Sequence, residues 1–185
     1  MLVKTIKAYW NLTWNFLCRL REMKSNPDPF GIELGTSSID DAMRILMTQT
    51  KVEEGGVNAY SEGLMLKSNG DGLQIENLRE ITFIFDKEEK FCALLLVFKK
   101  EIMNHAFRNL LNILRKKYEV EEICCPPVGT AYARLGFGGC TIELDSPHFS
   151  SFLELRYATK SFMKQFMLMN NFENVSQKPY RDQPY

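Results

Sequence analysis

The stretch EICCPPVG, Glu122–Gly129, sets two adjacent thiols against two prolines and raises metal or redox chemistry as the first question. Zinc sites draw on ligand pairs a few residues apart with a second pair elsewhere, and the remaining donors Cys92, Cys140, His105 and His148 hold no such spacing. Neighbouring side chains on a strand point to opposite faces, so one of Cys124 and Cys125 is expected against the core and the other away from it. The pair then reads as a strand end, with Pro126 and Pro127 as its terminator. His105 opens a helical run and His148 follows Pro147 in a hairpin turn; thiol-dependent catalysis would need one of them beside Cys124, Cys125 or Cys140, which spacing does not supply. GFGGC, Gly136–Cys140, has the glycines of a phosphate cradle, but a strand-like TIELD follows where a helix would be required, so a hairpin or bulge is expected. Carboxylates cluster in KVEEGG, DKEEK and EVEE, which read as solvated loops or as a polar rim for a basic partner, Glu88 and Glu89 being assigned to that rim. No catalytic, cofactor-binding or metal-binding residue is assigned, and no cofactor is expected.

The elements that would position these groups alternate between helical and strand-like spacing. In residues 1–25, Val3, Ile6, Trp10, Trp14 and Leu17 fall near one helical face and Leu2, Tyr9, Leu12 and Phe16 on an adjoining one, predicting an amphipathic helix. Its cations, Lys4, Lys7, Arg19, Arg21 and Lys24, oppose only Glu22. SNPDPFG breaks it. TSSIDDAMRILM predicts a short helix capped by Ser37 or Ser38, with Asp40 and Asp41 in its first turn. Strands are predicted at GLMLKS, LREITFIFDK and KFCALLLVFKK, the last with Phe91, Ala93, Leu95 and Val97 on one face. Met103, Phe107, Leu110, Leu111, Leu114 and Tyr118 predict a helix of four turns with Arg115, Lys116 and Lys117 at its C-terminal end. YEVEEICC, GTAYARLGF, GCTIELDS and SFLELRYATK predict further strands, SFMKQFMLMNNF a short C-terminal helix, and 173–185 a polar tail.

Composition bounds the class. The chain has 185 residues, 45% apolar and 25% charged, which is enough for one core. Lys plus Arg and Asp plus Glu both number 23, so no overall field draws the protein to nucleic acid. The five cysteines, including Cys18, have no disulfide-scaffold spacing, and the N-terminus lacks the uninterrupted apolar core of a signal peptide, so a cytoplasmic protein is expected.

Set side by side, the two halves repeat a pattern: a helix, GLMLKS and FIFD-turn-FCALLLVF in one; a helix, GTAYARLGF and IELD-turn-FLELRYA in the other. Expected is an α+β fold of tandem helix-plus-antiparallel-sheet units: one domain over 29–172, built from repeats 29–100 and 101–172. The runs PFGIELGTSSIDDAMRIL, FRNLLNILRKKYEV, TIELDSP and LELRYATK, within Pro29–Lys160, resemble the helix-plus-sheet repeats of the β-lactamase-inhibitor protein family and the small domain of outer-membrane assembly lipoproteins. The chain departs from that pattern where Glu119, and not Gly, follows Tyr118. The resemblance implies a binding or inhibitory module that presents a sheet face and loops and carries no catalytic residues.

The expected function is therefore a non-enzymatic protein-binding module, an inhibitor or immunity-type protein of bacterial kind, whose partner is another protein or a second copy of itself. Tyr9, Trp10, Trp14 and Phe16 are the expected anchors, and Glu88 and Glu89 the acidic rim. A peripheral membrane protein using the N-terminal helix and a thiol-dependent enzyme are the alternatives.

Overall fold

In a computed structural model, residues 26–100 and 105–176 are described, with side chains to Asn170. The expected N-terminal helix, with Tyr9, Trp10, Trp14 and Phe16, lies outside the described residues. The element order is α1 (Ile39–Leu46), β1 (Glu53–Val57), β2 (Glu62–Ser68), β3 (Leu78–Asp86), β4 (Phe91–Lys99), α2 (His105–Leu114), β5 (Glu119–Cys124), β6 (Ala131–Phe137), β7 (Cys140–Ser146), β8 (Phe152–Thr159) and α3 (Lys160–Ser176). The expected α+β class is what the structure shows: all eight strands form one antiparallel sheet in the order β1-β2-β3-β4-β8-β7-β6-β5. Each half is a helix followed by a four-stranded meander, and the last strand of each half pairs with that of the other, from Ala93 opposite Ala158 to Lys99 opposite Phe152.

Strand alternation sorts the side chains into two layers. One face carries Phe83, Phe85, Leu94, Leu96 and Phe98 from the first half and Leu135, Ile142, Leu144, Leu153 and Leu155 from the second, all buried with Ala42 and Leu46 of α1 and Phe107, Leu111 and Leu114 of α2. Each Leu, Ile or Phe among them contributes roughly 1.5–3 kcal/mol by leaving water. The opposite face is covered at one end only, where Phe162 and Met163 of α3 pack on Ile84, Cys92, Ala93 and Ala158, with Tyr60, Met65 and Phe166 alongside. The alanine pair lets the helix sit close to the central strands.

Local chemistry sets the boundaries. Ser38 caps α1: its Oγ accepts the Asp41 N–H at 3.2 Å while Asp41 Oδ2 accepts the Ser38 N–H at 3.5 Å. Ser37 is engaged elsewhere, accepting the Glu33 N–H at 2.9 Å. The second helix ends earlier than its apolar spacing predicts: Arg115, Lys116 and Lys117 lie in the turn beyond Leu114, and the Tyr118 N–H donates to the Leu114 carbonyl at 3.0 Å. Tyr118 is held there by the rings of Phe137 and Tyr157, at 5.6 and 6.1 Å between centroids. The C-terminal helix is longer than predicted, running to Ser176.

Two strand readings need correction. KVEEGG is no loop; Glu53–Val57 is an edge strand, too polar and too glycine-rich to show the usual alternation. Phe91 does not share a face with Ala93, Leu95 and Val97, because the register slips between Ile84 and Phe85. Cys92 is the extra residue, so Phe91 returns to the core opposite Phe85, with ring centroids 5.7 Å apart. Both sheet edges carry a similar irregularity together with carboxylates: Glu53 and Glu54 on β1, and Glu119, Glu121 and Glu122 on β5. Charge and bulge together discourage a further strand from adding there.

Gly63 marks the tightest approach. A Cβ at that position would run into the carbonyl oxygens of Phe85 and Asp86, so only glycine lets β2 close on β3 at its own register slip. Gly63→Ala is expected to destabilise the fold by about 1–3 kcal/mol, the usual range for overpacking. Urea unfolding checks this; an unchanged midpoint contradicts the packing.

Candidate functional site

Beyond the end covered by α3, the second sheet face is open, and its polar side chains lie in register. Following the paired residues across the sheet gives one transverse row, Lys67, Thr82, Leu95, Arg156, Glu143, Arg134 and Glu122. The row beside it reads Glu80, Val97, Glu154, Asp145, Tyr132 and Cys124. Cross-strand neighbours on one face sit about 4.5–5.5 Å apart at Cβ, which brings these charges into contact.

Glu143 is the centre. It is 8% exposed, and its two oxygens accept from three side chains. Oε1 takes the Tyr132 hydroxyl at 3.0 Å and Arg134 Nη2 at 3.1 Å, and Oε2 takes Arg156 Nη1 at 2.9 Å. Each guanidinium reaches a second carboxylate, Arg134 to Glu122 at 3.6 Å and Arg156 to Glu154 at 3.5 Å. The charges therefore alternate across three strands and onto the β5 edge. Arg156 also lies 4.7 Å from the centre of the Phe166 ring, tying the ladder to α3.

The surroundings tune the acids next to it. Burial, with the Glu143 carboxylate, pushes the Tyr132 phenol up to about 12, so it keeps its proton and donates a hydrogen bond to Glu143 throughout the physiological range. Burial raises Asp145 above the usual carboxylate range, against the opposing pull of Arg156. At the far end of the second row a shallow hollow of about 420 Å³ is lined by Arg79, Glu80, Val97, Lys99, Ser151 and Phe152. With its oxygens so fully engaged, Glu143 serves as a fixed anion that orients two cations; the face as a whole presents a rigid charge pattern broken by Leu95 and Val97.

The residues singled out from sequence are not brought together. Glu88 and Glu89 are exposed in the β3–β4 turn, where Asp86 Oδ1 accepts the Glu88 N–H at 2.9 Å and the Glu89 carbonyl accepts the Ile39 N–H at 3.1 Å. That turn is fastened to α1, on the side away from the ladder. β5 ends at Cys124, which is exposed, and Cys125 packs half-buried against the core. Cys92 and Cys140 are buried, and burial pushes their thiols up to about 12 and about 11. His105 and His148 are exposed. Gly136–Cys140 is the β6–β7 hairpin end, with Phe137 paired to Cys140 and the two-residue turn made by Gly138, at φ 59, and Gly139. Among the described residues no group of three His, Cys, Asp or Glu side chains is placed to hold a metal ion, and no helix is long and apolar enough to cross a membrane.

Tyr132, Arg134, Glu143, Glu154 and Arg156 were not singled out from sequence. The signal was the polar half of AYARLGF, TIELDS and FLELRYA, whose alternation already puts them on the non-core face; only the adjacency of β6, β7 and β8 makes them one cluster.

Two outcomes follow. Glu143→Gln leaves two guanidiniums facing an amide, and is expected to lower stability by about 1–3 kcal/mol. That is less than the roughly 3–5 kcal/mol of a fully buried pair, because both arginines keep some water; denaturant unfolding measures it. Asp145→Asn acts through pH. The folded state disfavours the ionised carboxylate, so wild-type stability is fullest below the unfolded-state value and declines as pH rises through the folded one. The asparagine variant is expected to be the more stable at neutral pH, with the gap closing in acid; a gap independent of pH in thermal melts contradicts this.

Compared with protein-family models, with curated proteins and with solved structures, the chain finds no match.

Proposed function

We propose that this is a non-enzymatic protein-binding module, an inhibitor or immunity-type protein whose preformed open sheet face occludes a site on a partner. The observation that carries this reading is the ladder itself: Glu143, buried between Arg134 and Arg156, holds both guanidiniums in one geometry before any partner arrives. Pre-organised charge of this kind fixes register with a partner and lowers the ordering entropy of binding. The half-buried Leu95 and Val97 and the exposed Phe152 give the same face apolar contact area. The aromatic residues Tyr9, Trp10, Trp14 and Phe16 supply anchors of the type that dominates interface energies, and Glu88 and Glu89, beside α1, a polar rim for contact outside the open face. The reading places the protein in the cytoplasm, in keeping with the free thiols of Cys92, Cys124, Cys125 and Cys140.

The test is affinity capture from the native host with the tagged full-length chain, beside Glu80→Arg/Glu154→Arg, which reverses two charges on the open face. A stoichiometric protein partner is expected on the wild type and lost from the variant, whose circular dichroism stays unchanged. A partner held equally by both, or none on either, contradicts the reading. Removing residues 1–25 then reports what the aromatic anchors add.

A further inference from the structure

The end of the sheet that carries the β5–β6 and β7–β8 loops differs chemically from the rest. Phe149 is 96% exposed and Val128 70%, the two most exposed large apolar side chains among the described residues. Their loops are fastened. The His148 N–H donates to Thr130 Oγ1 at 3.2 Å, joining one loop to the other, and Lys100 Nζ donates to the Pro147 carbonyl at 2.7 Å. The Ser150 N–H closes the turn on the Pro147 carbonyl at 3.2 Å, and Ser150 Oγ accepts the Phe152 N–H at 3.0 Å. The His148 and Phe149 rings lie 4.5 Å apart, which leaves the phenyl pointing away from the body of the protein.

The two loops of this tip, 125–130 and 147–151, are free of carboxylates, the nearest standing on the strands behind them as Asp145 and Glu154. Lys99 stands opposite Phe152, and the Lys100 N–H is bonded to the Ser151 carbonyl at 2.8 Å, so two cations flank the loop that bears Phe149. Arg79 lines the same hollow as Lys99 and Phe152, and the carboxylate there, Glu80, is paired with Lys67 at 3.3 Å.

We propose that this tip is an attachment point for an anionic bilayer surface, with Phe149 and Val128 entering the interface and Lys99 and Lys100 meeting the headgroups. An aromatic ring and a branched aliphatic chain gain by leaving water at the acyl boundary, and each lysine near an anionic leaflet adds to the attraction. A pocket on a protein would accept the phenyl, but the lack of carboxylates in both loops and the flanking cations match an anionic surface. The tip lies at the strand ends and the ladder on their flank, so this inference does not rest on the proposed protein-binding role.

Co-sedimentation of the full-length protein with phosphatidylcholine vesicles, with and without phosphatidylglycerol, tests it. Wild type is expected to pellet with the anionic vesicles only, and to be released by salt. Phe149→Ser, at a position with nothing packed over it, is expected to lower the partition coefficient about tenfold. Trp10→Ala/Trp14→Ala is expected to retain binding, which separates the tip from the N-terminal aromatic residues. Wild type that stays in the supernatant, Phe149→Ser that pellets like wild type, or binding that disappears only with the tryptophans overturns the proposal.

Discussion

The antiparallel pairing of β4 with β8 is the constraint on which the rest of the structure depends. Seven residue pairs, Ala93–Ala158 to Lys99–Phe152, join two meanders that would otherwise end in long, apolar, unpaired edges. The continuous apolar run FCALLLVF on β4 serves two faces: Leu94, Leu96 and Phe98 in the core, and on the other face Cys92 and Ala93 beneath α3 with the half-buried Leu95 and Val97 beyond it. The β4–β8 pairing also fixes where irregularity can be absorbed. The register slips fall in β1–β2, β2–β3, β3–β4 and β5–β6, while the central pairing and the β6–β7 and β7–β8 pairings run without one.

That regularity is what makes the charge ladder. Because β6, β7 and β8 stay in register, Arg134, Glu143 and Arg156 fall side by side, and a slip of one residue would send one of them into the core. Desolvating Glu143 beneath Tyr132 and two guanidiniums is favourable only because every oxygen is engaged. The same face is bounded at one end by the aromatic packing of α3, where Phe162 and Phe166 meet Tyr60 at 6.3 and 4.9 Å. The sheet thus has one face spent on stability and another divided between a helix and an ordered polar surface.

Much of this was legible from periodicity. LREITFIFDK, GTAYARLGF, GCTIELDS and SFLELRYATK alternate, KFCALLLVFKK and YEVEEICC are marked as strands by their β-forming residues and flanking breaks, and the Ser cap with its acidic first turn announced α1. The first edge strand was not legible, because Glu53–Val57 sets two carboxylates and two glycines where β-branched or aromatic residues would mark a strand. Phe91 was misplaced because a bulge reverses alternation without changing composition. The end of α2 was missed for a similar reason: Tyr118 keeps helical spacing yet is drawn out of the helix by Phe137 and Tyr157, two partners remote in sequence. The ladder lay beyond single-strand reading, since strand order is a property of the whole sheet.

The central claim is that the open face, and the ordered charge upon it, is where a partner sits. Carboxylate footprinting reads this directly, by labelling the full-length protein alone and in native host extract and locating the modified residues by mass spectrometry. The account predicts that Glu80, Glu122 and Glu154 lose reactivity in extract, while Asp40, exposed on α1 over the other sheet face, labels as before. Equal labelling of the open-face carboxylates in both conditions, with protection confined to other surfaces, would contradict it.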